Sequence, residues 1–126
     1  VVFSGINKQP EDYNKIKHLM DSRKRPGNNV TGVYEKIHIS TSFRVMKSIL
    51  PGLKKVLCLT DESPTGKAVR RQVEMELEAD PPNIDYEVVS VKNFEQLRNI
   101  IEWVNNDPGI GAIYSGLTLL KTKDGK

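Results

Sequence analysis

The chain has 126 residues, of which 37% are hydrophobic and 28% are charged, and its single cysteine excludes an internal disulfide framework. No stretch reaches the roughly 18 apolar residues that a membrane span requires, so we expect no membrane contact by this segment. The net charge is +3, and the only basic cluster is at residues 23–25, which argues against a nucleic-acid partner. These features predict a single domain over residues 1–126.

The N-terminal part of the chain predicts a strand, a helix and a second strand. The apolar run at residues 1–6 is typical of a buried strand, and Pro10 suits the first turn of a helix over residues 10–20. Turn residues at 25–29 end this helix, and β-branched residues at 30–34 resume an extended chain. The residues expected on the buried face of the helix are Tyr13, Ile16, Leu19 and Met20.

A second helix is predicted across residues 40–50. Ser40 or Thr41 would cap its N-terminus, and the Pro51-Gly52 pair would end it. Its expected apolar face consists of Phe43, Met46, Ile49 and Leu50.

The second half of the chain alternates strands with helices. The strand at residues 55–60 is apolar on both faces, which is typical of a parallel sheet covered by helices on each side. Further strands are predicted at 86–91 and 111–117, and the helices between the three strands begin at the N-caps Ser63 and Asn93. This order predicts an α/β fold, an open parallel sheet with a βαβαβ core and right-handed crossovers.

Polar residues follow three of the predicted strands. They are Ser4-Gly5, the turn at residues 61–66 and the stretch from Ser115 to Thr118. In open parallel sheets, ligands bind outside the carboxyl ends of the strands, so these turns predict half of a solute site. Hydroxyls at a helix N-terminus suit an anion, whereas plain helix capping explains the same residues equally well.

Other chemistries fit less well. Asp61 and Ala68 stand where a phosphate-binding loop requires Gly and a Ser or Thr. The acidic residues of a phosphorylatable receiver domain are also missing. His18 and His38 have no metal-ligand spacing, and Cys58 lies within a predicted strand, where it is expected to be a small buried side chain. The sequence therefore predicts neither an enzyme nor a cofactor or metal site.

Three motifs occur in order along the chain: Val2-Phe3-Ser4-Gly5, Asn29-Val30-Thr31-Gly32-Val33, and Ile49-Leu50-Pro51 followed by Lys54-Lys55-Val56-Leu57. Together they resemble the ABC-transporter substrate-binding protein family with a type 1 periplasmic binding fold, which includes sensor modules of signalling proteins. The second motif is the most specific, and the resemblance covers approximately residues 1–118. It implies two doubly wound lobes that close on a small solute, often an amino acid.

By this resemblance, residues 1–34 form the end of the first lobe and the hinge, and residues 35–126 begin the second lobe. The chain begins without Met, so we expect a piece of a longer, extracytoplasmic or periplasmic protein whose remaining lobes complete the cleft. The ligand-binding residues that the resemblance implies are Ser4, Gly5, Asp61, Ser63, Thr65, Gly66, Ser115 and Thr118.

The chemistry of these side chains suggests their roles. Ser63 and Thr65 would donate hydrogen bonds to a solute carboxylate, Asp61 would bind an ammonium group, and Gly66 would allow a close approach of the backbone. The function that we predict is a non-enzymatic solute-binding or ligand-sensing domain. The alternative is an α/β regulatory module without a small ligand, which would act as a homodimer through a sheet edge or the helix at residues 10–20.

Overall fold

The computed structural model describes residues 2, 3, 10–22, 24–33 and 36–122. Contacts within the chain divide it into two compact units, residues 1–36 and residues 37–126, and each is described by itself.

The described residues of the first unit form two short parallel strands, β1 (Val2–Phe3) and β2 (Thr31–Gly32), and a short helix, α1 (Pro10–Asn14). The prediction of a helix to residue 20 was wrong. The side chain of Asn14 accepts hydrogen bonds from the backbone N–H groups of Leu19 and Met20, at 2.9 and 3.1 Å, and this local bonding competes with the helix. Met20 is buried as expected, whereas Ile16 is 86% exposed.

In the second unit, α2 (Ile39–Ile49) begins at His38 without a side-chain cap. Neither predicted cap is used, because Ser40 is buried within the helix and donates to the carbonyl of Asp80 at 2.6 Å. The buried face is narrower than predicted and is formed by Ile39 and Phe43, with Met46 partly buried. Ile49 and Leu50 are exposed.

The predicted sheet is confirmed. Its strands are β3 (Lys55–Asp61), β4 (Asp85–Val91) and β5 (Ile110–Ser115). They are parallel in the order β4-β3-β5, so the central strand is the one predicted to be apolar on both faces, and it is buried from residue 56 to its end. β5 ends two residues earlier than the predicted strand.

Helices α3 (Pro64–Ala79) and α4 (Phe94–Asn106) cover opposite faces of this sheet. Alternate side chains of β3 divide between two hydrophobic clusters, because successive residues of a strand point to opposite faces. The first cluster joins β3 to α2 and α3 through Val56, Cys58, Ile39, Phe43, Val73 and Leu77. The second joins β3 to α4 through Leu57, Leu59, Val91, Leu97, Ile100 and Val104. The neighbouring Ile101 is exposed, although an apolar stripe at helical spacing along α4 would also include it.

The strand order creates a topological switch point between β3 and β5. The chain leaves β3 toward β4 on one side, and it returns from β4 to β5 on the other side. Ligands of open α/β sheets bind beside the carboxyl ends of strands at such a point. The turns that follow β3 and β5 therefore define where a site is expected. None of the described helices has the length and hydrophobicity needed to cross a bilayer.

Candidate functional site

The turn between β3 and α3 is organised by the side chain of Asp61. One carboxylate oxygen of Asp61, Oδ1, accepts a hydrogen bond from the backbone N–H of Ser63 at 2.9 Å. The Ser63 hydroxyl in turn accepts from the N–H of Gly66 at 2.9 Å, which confirms Ser63 as the N-cap of α3. These two bonds fix the turn in the conformation that begins the helix.

The other carboxylate oxygen of Asp61 binds the chain that leaves β5. Oδ2 accepts from the backbone N–H of Thr118, from the Thr118 hydroxyl at 2.9 Å and from the N–H of Leu119 at 3.0 Å. Asp61 is only 1% exposed. With the N–H of Ser63 on Oδ1, its carboxylate accepts from four donors, all of which belong to the chain itself. We call this arrangement the Asp61 clasp, meaning the Asp61 carboxylate with its donors from Ser63, Thr118 and Leu119.

The charge of Asp61 is stabilised by these donors. Burial by itself would raise the pKa of the Asp61 carboxyl, but the hydrogen bonds from Ser63, Thr118 and Leu119 outweigh burial and hold the pKa below its usual value. Asp61 is therefore ionised at neutral pH although it is buried.

Gly66 is required by the position of this carboxylate. A Cβ atom at Gly66 would lie 2.2 Å from Oδ1 of Asp61 and 2.4 Å from the Asp61 backbone oxygen. No side chain can approach that closely, so only glycine fits in the first turn of α3 above Asp61. The close approach predicted for Gly66 is thus made to Asp61 itself.

The segment after β5, residues 116–121, crosses the carboxyl edge of the sheet; we call it the exit segment. It begins where the N–H of Gly116 donates to the carbonyl of Leu59 on β3, at 2.8 Å. It ends beside α4, where Lys121 pairs with Asn93 as an isolated parallel bridge. Between these points, Leu117 and Leu120 pack into the cluster on the α4 face of the sheet. The exit segment therefore runs from β5 past the end of β3 to the start of α4.

A sequence model of the family described as ABC transporter substrate binding protein matches residues 15–114 of the chain. The chain belongs to the ABC transporter substrate-binding protein family. No curated protein and no solved structure matches it significantly. The parallel α/β sheet agrees with part of one lobe of a periplasmic binding protein, as the motifs of the sequence implied.

In this substrate-binding protein, three of the predicted site residues carry hydroxyls near the clasp. Ser63 and Thr118 are joined at 3.2 Å between their hydroxyl oxygens, and Thr65 follows in the first turn of α3. Ser63 and Thr65 are half-buried, and Thr118 is exposed. We call these three side chains the hydroxyl rim. Ser115 ends β5 and is exposed, opposite Leu59 of β3.

The role predicted for Asp61 differs from the observed geometry, and two other predicted site residues are not described by the structure. The sequence suggested that Asp61 binds a solute ammonium, but its carboxylate is buried and already holds four donors of the chain, so it is not open to a solute. Ser4 and Gly5 lie outside the described residues.

The sequence interpretation missed a second polar group on the β4 side of the same edge. The Ser90 hydroxyl donates to Oε1 of Glu62 at 2.7 Å, and the ammonium of Lys67 lies 3.6 Å from Oε2. The hydrogen bond from Ser90 lowers the pKa of the exposed Glu62 carboxyl. The sequence contained a signal for this polar group, because Ser90 lies near the end of one predicted strand and Glu62 closely follows another. In the structure, Ser90 pairs with Thr60 on the neighbouring parallel strand. Across the described residues, no group of His, Cys, Asp or Glu side chains is placed to hold a metal ion.

Proposed function

We propose that this chain forms part of a cleft between two lobes that binds a small amino-acid-like solute without catalysing its conversion. The protein would work outside the cytoplasm and deliver the solute to an ABC transporter. The observation that carries the proposal is the hydroxyl rim, which lies at the switch point of the sheet and is formed by residues on two separate turns. Family membership supplies the transport context.

The rim suits the carboxylate end of such a solute. The Thr65 hydroxyl can donate a hydrogen bond to an anionic oxygen, and the Ser63 hydroxyl can do so by turning away from Thr118. The single proton of the Thr118 hydroxyl is already donated to Asp61, so Thr118 contributes an acceptor and not a donor. In the turn that begins α3, Asp61 takes the N–H of Ser63, Pro64 has no N–H, and Ser63 takes the N–H of Gly66. The N–H of Thr65, in the first turn of α3, is not taken by these groups and is available to a solute.

The ammonium end of the solute requires a partner other than Asp61. Glu62 is exposed, but it is bound to Ser90 and lies beside Lys67. We therefore propose that the amine is held by the other lobe of the parent protein. Ser4 and Gly5 remain candidates for contacts from that lobe, and Ser115 remains a candidate at the margin of the rim.

The proposal is tested by calorimetric titration of the full-length protein that contains this chain with the twenty common amino acids. We expect at least one to bind and the variant Thr65→Val to bind it about 3–10-fold more weakly, because one hydrogen bond contributes about 0.5–1.5 kcal/mol. Thr41→Val is the matched control, since Thr41 is exposed near the start of α2 and belongs to no part of the rim. Absence of binding by the unmodified protein, or equal weakening by both variants, would contradict the proposal.

A further inference from the structure

We infer that Asp61 is a positioning residue that couples the β3–α3 turn to the exit segment, so that the two sides of the hydroxyl rim hold one fixed spacing. Asp61 would not touch the solute in this role. The inference rests on the proposed function only in regarding the rim as a solute site.

The division of hydrogen bonds between the two carboxylate oxygens supports the coupling. Oδ1 binds the turn through Ser63, and Oδ2 binds the exit segment through Thr118 and Leu119. The two groups of donors are separated by more than 50 residues along the chain, and one rigid carboxylate joins them. Because the oxygens of a carboxylate are fixed relative to each other, a movement of either segment must break bonds to the charge or carry the other segment along.

The packing around the carboxylate removes other ways of satisfying these donors. Asp61 is buried, and Gly66 leaves no space between Oδ1 and the first turn of α3. Replacement of the carboxylate by an amide, which has one acceptor oxygen, would therefore leave either the N–H of Ser63 or the N–H groups of Thr118 and Leu119 without an acceptor, and the common attachment of the two segments would be lost. Unsatisfied donors of this kind are costly in a buried site, so the middle of the exit segment should move outward to reach water.

The ends of the exit segment have independent attachments, and this makes the effect local. Gly116 is bound to Leu59 of β3, and Lys121 pairs with Asn93 beside α4. Leu117 and Leu120 contribute to the cluster on the α4 face. A variant that lacks the Asp61 charge should consequently keep its sheet and lose the fixed spacing between Ser63 and Thr118.

The test uses the variant Asp61→Asn, which keeps the size of the side chain but places an N–H₂ group where one of the two oxygens accepts. Hydrogen exchange of the full chain without solute should become at least tenfold faster in both segments, at the amides of Ser63, Thr118 and Leu119. The amides of Leu57 and Leu59 report whether the sheet is intact. Glu62→Gln is the matched control, since it removes the adjacent, exposed charge and should leave both segments unchanged.

Solute affinity separates positioning from general stabilisation. For the amino acid that binds the full-length protein most tightly, Asp61→Asn should raise Kd at least fivefold. Val73→Ala, which destabilises the buried core about two turns further along α3, should not. Faster exchange in only one of the two segments overturns the inference, as does an unchanged Kd. If no amino acid binds the unmodified protein, the proposed function fails, and hydrogen exchange still decides the coupling because it requires no solute.

Discussion

Helices α3 and α4 begin in the same way but differ in the residue beneath their first turns. The caps Ser63 and Asn93 each accept a hydrogen bond from the N–H three residues later, both at 2.9 Å. Two residues before each cap, the parallel strands pair Asp61 with Val91. Val91 is a buried apolar residue of the core, whereas Asp61 is a buried carboxylate. The same local geometry thus lies above an uncharged core residue in one case and above a charge in the other.

This difference decides how each helix start is linked to the exit segment. At α4 the link is made by the backbone, because the N–H of Phe94 donates to the carbonyl of Lys121 at 3.3 Å. At α3 it is made by a side chain, through the bonds from Thr118 and Leu119 to Asp61. A backbone link depends little on residue type or pH, whereas a carboxylate link depends on both. The region around α3 is therefore the one where substitutions reveal the connection.

The largest expected effect comes from an alanine at Gly66, the third position of α3. In an ordinary helix, replacement of Gly by Ala stabilises by up to about 1 kcal/mol. We expect Gly66→Ala to destabilise by about 2 kcal/mol, because its Cβ would lie 2.2 Å from Oδ1 of Asp61 and overpacking costs about 1–3 kcal/mol. Urea unfolding of the full chain measures the change in free energy.

The matched substitution in α4 is Gln96→Ala. Gln96 accepts a hydrogen bond from the N–H of Lys92 at 2.8 Å on an exposed surface, so its loss should cost less than about 1 kcal/mol. If Gly66→Ala stabilised the protein, as at an unconstrained helix position, the close approach of Asp61 to α3 would be disproved.

Those parts of the fold that depend on local residue patterns were predictable from the sequence. The caps Ser63 and Asn93, the buried strand β3 and the parallel order follow from local residue patterns, and all are confirmed. The length of α1 was not predictable in this way. There, one polar side chain, Asn14, forms backbone bonds that compete with the helix, and hydrophobic periodicity does not detect such competition.

The candidate site was predicted by position but not by the role of each residue. The strand-end rule placed Asp61 and Thr118 at one edge of the sheet, and the structure joins them. Sequence alone does not show whether a carboxylate at a strand end points to solvent or into the chain. Gly66 at the third position of α3 was a usable signal, because glycine there costs helix stability unless a close contact requires it.

The second expected effect is a loss of stability in acid that depends on Asp61. The pKa of its carboxyl is lower in the folded chain than its unfolded value of about 3.9, so its ionisation stabilises the fold above that pH. This contribution is lost as the pH falls below about 4. The free energy of unfolding of the unmodified chain should therefore approach that of Asp61→Asn between pH 5 and pH 2.5.

The comparison with Asp61→Asn cancels the titration of other carboxyl groups, including Glu62, whose pKa is also lowered. If the difference in unfolding free energy between the unmodified chain and Asp61→Asn stayed constant from pH 5 to pH 2.5, Asp61 would not bind the exit segment through its charge. The corresponding position under α4 is occupied by Val91, which contributes no titration of its own.

The smallest expected effects are those of the two caps, and they differ in their coupling. Ser63→Ala and Asn93→Ala should each destabilise by about 1 kcal/mol, the usual effect of removing an N-cap side chain. Ser63 also contacts the Thr118 hydroxyl, which is itself bound to Asp61, whereas Asn93 caps α4 through the N–H of Gln96. In double-mutant cycles with Asp61→Asn, the effect of Ser63→Ala should deviate from additivity by about 0.5 kcal/mol or more. The effect of Asn93→Ala should be additive, and equal coupling of both caps would mean that the exit segment links the two helix starts as a single unit.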